Sequence, residues 1–237
     1  MSSTHIVSIY DEELKYLSRR ISEMGGTAEQ MVADSVRALV STDVALAQKV
    51  ISEDVILDNA ERQINDKAIV TIAKRQPMAA DLREIMGTIR IAAELERVGD
   101  LGKNTAKRVI AVQSSGMPRK LARGLEHLAE LALMQLKEVL DVYATRSIEK
   151  AKAIRERDDE IDAIYTSLFR ELLTYMMEDP RSITACMHLH FIAKNIERMG
   201  DHATGIAEQV IYLATGDLPE DTRPKGESVP RLNTERV

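Results

Sequence analysis

Carboxylates recur in this chain at a spacing that suits the gripping of a cation. Glu96 and Asp100 lie in Glu96-Arg97-Val98-Gly99-Asp100, with Asn104 continuing the row, and Glu197 and Asp201 lie in Glu197-Arg198-Met199-Gly200-Asp201. Upstream of each segment stands another acidic pair, Asp54 with Asp58 and Asp158 with Asp162. Helical residues four apart share one face, so each pair presents two carboxylates to the same neighbour. Like charges so placed cost roughly 0.2–0.5 kcal/mol per pair, and a bound cation would remove that cost. Oxygen-rich, cysteine-free sets suit hard or borderline ions such as Mg²⁺, Mn²⁺, Ca²⁺ or iron better than tetrahedral zinc. The alternative is that these acids solvate helix faces and pair only with Arg97, Arg198 or nearby lysines.

The elements that must position these groups are helices. Apolar periodicity and breakers predict six long ones, at approximately 10–41, 43–75, 79–114, 119–145, 147–178 and 181–215. Ser41, Thr42 and Asp43 supply a cap before the second helix, Pro77 and Pro180 mark hairpin turns, and Gly25-Gly26 is a potential kink in the first helix. The order of features is the same twice. Asp58 precedes Pro77 by about as many residues as Glu96 follows it, Asp54 and Asp100 are likewise matched, and Pro180 gives nearly the same result in the second half. Antiparallel hairpins therefore bring four carboxylates together in each half.

The fold class is all-α, a tandem repeat of two three-helix bundles. The first bundle spans 1–114, the second 119–216, and Ser114-Ser115-Gly116-Met117-Pro118 separates them. A proline-rich, apolar-poor tail at 217–237 reads as disordered. In the last helix Leu189, Ile192, Ile196, Met199, Ala203, Ile206, Val210 and Leu213 form a packing seam, as do Ile91, Leu95, Val98 and Val109 in the third. Glu197 and Asp201 fall on the far side from that seam and are expected to be exposed. Gly99 and Gly200 point to a close helix approach, since glycine within a helix costs about 1 kcal/mol relative to alanine.

Composition narrows the function. The chain has 237 residues, a formal net charge of -6 and aromatics at only 3%, which suits stacked amphipathic helices and opposes nucleic-acid binding. No apolar run reaches the roughly 18 residues of a membrane span, the start Met1 to Ser8 is polar, and Cys186 is the one cysteine. A cytoplasmic location is expected. His188 and His190 point apart on a helix, while His202 follows Asp201 and is a weak ligand candidate for the second set. A carboxylate-bridged di-metal oxidase would use Glu-x-x-His pairs, and no histidine here has glutamate three residues before it. A structural metal-binding bundle is the other alternative.

Two copies of Glu-Arg-x-Gly-Asp, the paired Asp-x-x-x-Asp segments, and Ala73-Lys74-Arg75-Gln76-Pro77 followed by Asp81-Leu82-Arg83 resemble the PhoU family of phosphate-specific transport accessory proteins, over about residues 5–215. The resemblance implies two three-helix bundles and surface metal clusters. It places Asp54, Asp58, Glu96, Asp100 and Asn104 in one site and Asp158, Asp162, Glu197 and Asp201 in the other. Gly205 stands where the first half has Asn104, which implies one oxygen ligand fewer in the second site. The resemblance further implies a homodimer and a non-enzymatic negative regulator of the phosphate-starvation response. Such a regulator links the ATPase subunit of the phosphate importer to the sensor histidine kinase, and reaches the membrane only through these partners.

Overall fold

A computed structural model of the chain describes residues 2–113 and 119–219, and the side chains of 12–113, 121–157 and 159–219. The expected breaker at 114–118 and residues 220–237 of the expected tail lie outside the described residues. Within them the fold is all-α: α1 Ser2–Ser41, α2 Val44–Arg75, α3 Ala80–Val112, α4 Arg119–Thr145, α5 Ile148–Glu156, α6 Asp158–Glu178 and α7 Ile183–Thr215, with a 3-10 turn at Pro180–Ser182.

Local chemistry explains most of the boundaries. Asp43 caps α2 by accepting a hydrogen bond from the Leu46 amide at 2.9 Å. Gln76, in the left-handed region at φ 48°, ends α2 immediately before Pro77. Helix α1 begins well before residue 10, because Ile6, Tyr10, Leu14 and Leu17 extend its apolar spacing toward the N-terminus. It is unbroken across Gly25-Gly26; a Cβ at Gly25 would overlap the Leu140 side chain of α4, so this glycine admits a close helix crossing. The expected helix 147–178 is interrupted at Arg157, a turn residue that separates α5 from α6 although its amide still donates to the Ala153 carbonyl at 3.3 Å. Arg157 is ion-paired to Glu138 of α4, and Asp158-Asp159-Glu160 then start α6, where negative charge favours a helix N-terminus.

Helices α1, α2 and α3 pack on one another, as do α4, α6 and α7, with α5 against α7. The two units share one apolar core, because α3 also packs along α7 and α1 meets α4. Glu94 meets His202, Thr105 meets Asn195, and Arg108 meets His188, so α3 and α7 run antiparallel. Both expected seams are buried, from Ile91 to Val109 and from Leu189 to Val210, while Leu213 is partly buried against the same core. Within the first unit Asp34 of α1, 1% exposed, receives Gln30 at 2.8 Å, Arg37, and Lys49 of α2 at 3.5 Å. No described helix is long and apolar enough to cross a membrane.

Glu13 ties α1 to α2 through Lys67 at 3.0 Å and Arg75 at 2.9 Å. Burial alone would raise its carboxyl pKa, but the hydrogen bonds and charges of Arg75 and Lys67 outweigh it and hold the group below its ordinary 4.5. The depressed pKa adds stability above about pH 4.5 that is lost as the pH falls through the folded value. Glu13→Gln should therefore cost about 1–2 kcal/mol at pH 7. Urea denaturation at pH 7 and at progressively lower pH checks this, because the gap between wild type and variant should narrow as the Glu13 carboxyl becomes protonated.

Candidate functional site

The first acidic set is built on the crossing of α2 and α3. Leu57 lies between Asp54 and Asp58 and is 1% exposed, and a Cβ at Gly99 would overlap its side chain. With glycine here the Leu57 side chain packs directly on the α3 backbone, and the meeting turns the Asp54–Asp58 row toward the Glu96–Asp100 row. Lys103 closes the space between them. Its Nζ donates to Asp54 Oδ2 and to Asp100 Oδ1, each at 2.6 Å, while Arg97 reaches Asp100 at 3.4 Å. Burial opposes the Lys103 ammonium, but Asp100 and Asp54 outweigh it and raise its pKa above the ordinary lysine value. Burial also raises the Glu96 carboxyl, and the charges of Asp100, Glu61 and Asp58 push the same way against Arg97.

The second set lies between α6 and α7. Asp162 is within hydrogen-bonding reach of Glu197, and burial raises the pKa of both carboxyls, with Asp201 adding to the effect on each. Asp159 also acts on Asp162. Lys194 Nζ donates to Glu197 Oε1 at 2.5 Å and lies 5.1 Å from the centre of the Tyr165 ring. Glu197 Oε2 is buried and has no hydrogen-bond partner. Asp158 is the first residue of α6, and its side chain lies outside the described residues.

Exposure corrects one expectation. Asp201 is exposed as predicted, but Glu197 is only 8% exposed. The seam of α7 shows which side faces the core; it does not show that α6 covers the flank where Glu197 stands. Asp54, 9% exposed, is enclosed at its own helix crossing, whereas Asn104 is exposed. His202 leaves the second set and pairs with Glu94 of α3 at 2.6 Å. A Cβ at Gly205 would lie 3.2 Å from the same Glu94 carboxyl, so a side chain there would press on Glu94 and shift it by a few tenths of an ångström.

Sequence reading missed Lys103, Lys194, Glu61 and Asp159. The lysines carried a readable signal, since Lys103 follows Asp100 by three residues and Lys194 precedes Glu197 by three, which is ion-pair spacing on a helix. Among the described residues, no three His, Cys, Asp or Glu side chains form a close metal-ligating group. The donor chemistry nonetheless fits a hard cation, most clearly at the second set. There an unpartnered buried carboxylate oxygen adjoins a second carboxylate, and such an oxygen calls for a hydrogen-bond donor or a cation.

Fold and site together define a class: duplicated helical bundles carrying one acidic set on each repeat. The PhoU domain matches this chain twice, at residues 21–109 and 125–210. The chain is 78% identical over 234 residues to the phosphate-specific transport system accessory protein PhoU homolog of Rhizobium meliloti (strain 1021), covering 99% of each chain. The Caulobacter vibrioides homolog of the same description is 45% identical over 221 residues, covering 93% of this chain and 96% of its own. The crystal structure of PhoU from Pseudomonas aeruginosa superposes with a TM-score of 0.85 at 35% identity, covering 88% of this chain and 100% of that one. The phosphate transport system regulatory protein PhoU from Streptococcus pneumoniae gives 0.82 at 26%, covering 89% and 99%. The chain belongs to the PhoU family.

Two substitutions test the geometry. Gly99→Ala gains helix propensity of about 1 kcal/mol but must displace buried Leu57, and overpacking of about 1–3 kcal/mol should win. Its melting temperature should fall by roughly 2–4 °C. Glu197→Gln removes a charge that burial disfavours and the repulsion of Asp201 and Asp162, which together outweigh the Lys194 ion pair it also loses. In chelator-treated protein at pH 7 it should therefore melt about 1–2 °C higher than wild type. Calorimetry of both variants decides, and a lower melting point for Glu197→Gln would contradict the assigned electrostatics.

Proposed function

We propose that this protein is an accessory regulator of a phosphate-specific transport system, acting by binding rather than by turnover. The observation that carries this reading is 78% identity along 99% of the chain to a relative described as such an accessory protein. The Streptococcus pneumoniae structure, described as a phosphate transport system regulatory protein, supports the regulatory half. The proposed role is negative regulation: when phosphate is plentiful, the protein restrains uptake and represses the starvation response. It does so in the cytoplasm, as a homodimer, by joining the importer's ATPase subunit to the sensor histidine kinase.

The acidic sets serve this role as cation-binding surfaces for Mg²⁺, Mn²⁺ or an iron ion. Asp54, Asp58, Glu96, Asp100 and Asn104 would hold one ion site, and Asp158, Asp162, Glu197 and Asp201 the other. Bound metal supplies positive charge that offsets carboxylate repulsion and offers a coordination point to anionic groups. The chain's own part is to hold the α2–α3 and α6–α7 rows opposite one another. Lys103 balances the charge of Asp54 and Asp100 by donating to both, and Lys194 donates to one oxygen of Glu197. Glu96 and Asp162 are partly withdrawn from water, and this burial together with their acidic neighbours raises the pKa of each carboxyl.

Deleting the gene should raise expression of phosphate-starvation genes in high-phosphate medium, and restoring the full chain should reverse it. Transcript levels that do not change on deletion would reject the regulatory assignment. Affinity capture with the full chain should recover the ATPase subunit and the kinase, and recovery of neither would reject the proposed linkage.

A further inference from the structure

We propose that the two acidic sets draw their positive charge from different sources: Lys103 is the resident counter-ion of the first set, so an added divalent cation goes first and most tightly to the second. This rests on the reading that the acidic sets bind metal ions.

In the first set the Lys103 ammonium bridges two helices. It lies 2.6 Å from an oxygen of Asp54 on α2 and 2.6 Å from an oxygen of Asp100 on α3, and its side chain is largely enclosed. A metal ion entering between those carboxylates must displace that ammonium. In the second half the corresponding position is Thr204, which is fully buried, donates to the Gly200 carbonyl at 3.1 Å and accepts from Gln135 at 3.1 Å. No cationic side chain stands there.

The lysine that serves the second set comes from the other direction; its charge is felt by Glu197, Asp162 and Asp201, but it bridges no two of them by hydrogen bonds. Lys194 precedes Glu197 on the same helix and donates to one oxygen, Oε1, at 2.5 Å. The other oxygen, Oε2, is buried without a partner, in a residue that is 8% exposed. Asp162, across on α6, is within hydrogen-bonding reach of that same carboxyl group. Two carboxylates face each other here with one oxygen unsatisfied, which is the arrangement an external cation would complete.

Formal charge alone gives the opposite ranking. The first set has Glu61 acting on Glu96, where Tyr165 occupies the like place beside Glu197, and only the first has Asn104. The position of the lysine, rather than the number of acids, sets the order.

Mn²⁺ titration of the full chain, stripped with chelator and followed by calorimetry and by the electron paramagnetic resonance signal of free Mn²⁺, tests the order. Wild type should show a tight and a weaker class of site. Glu197→Gln should lose the tight class, whereas Asp100→Asn should keep it and lose the weaker one. Lys103→Gln should tighten the weaker class by about tenfold or more, the scale of one close charge removed, while Lys103→Arg, which keeps the charge, should not. Circular dichroism confirms that each variant is folded. The order is overturned if the tight class survives Glu197→Gln and is lost in Asp100→Asn, or if a folded Lys103→Gln binds Mn²⁺ as wild type does. Failure of every form, wild type included, to bind Mn²⁺ would instead overturn the metal reading and this proposal with it.

Discussion

Apolar packing between antiparallel helices holds like charges face to face, and the rest of this structure follows from that constraint. Burying an Ile, Leu or Val side chain contributes about 1.5–3 kcal/mol, and each half buries a long seam of them. A pair of like charges four residues apart costs only about 0.2–0.5 kcal/mol. Packing therefore wins, and the carboxylates on the flanks of the seams must stay where the helices put them. The contact of Gly99 with Leu57 is the tightest expression of this in the first half, because it sets the approach of the two rows.

Repulsion that packing cannot relieve must be relieved by cations, and the two halves differ in how they find them. Lys103 spans two helices in the first half, whereas Lys194 stays on its own helix in the second. Duplication preserved the acidic rows and moved the basic residues. The two repeats are thus similar in backbone and in carboxylates, and dissimilar in the charges that balance them.

The two sets belong to one body. Helices α3 and α7 each carry one of the Glu-Arg-x-Gly-Asp segments and pack antiparallel against each other. Their contact is polar as well as apolar: His202 meets Glu94, Asn195 meets Thr105, and Arg108 stacks 4.1 Å from the Phe191 ring centre. Gly205 belongs to this interface too. A Cβ there would lie 3.2 Å from the Glu94 carboxyl, so Gly205 faces the joint between the repeats.

Much of the fold could be read from the residues themselves. Apolar spacing gave the seams of α3 and α7, Asp43 and the two prolines gave turns, and equal distances from Pro77 paired Asp54 and Asp58 with Asp100 and Glu96. These features are local or nearly so: periodicity, capping and hairpin register depend on residues close in the chain. Burial on the flank of a helix does not. Glu197 is enclosed because α6 covers it, His202 turns to α3 because that helix lies alongside, and α5 parts from α6 where Arg157 meets Glu138. The bridging of Asp54 and Asp100 by Lys103 likewise needs two helices at a fixed separation. Sequence alone determined which carboxylates exist and on which helix faces they lie; tertiary structure decided which are withdrawn from water and which cation each can reach, because desolvation and Coulomb energies depend on distances across the fold.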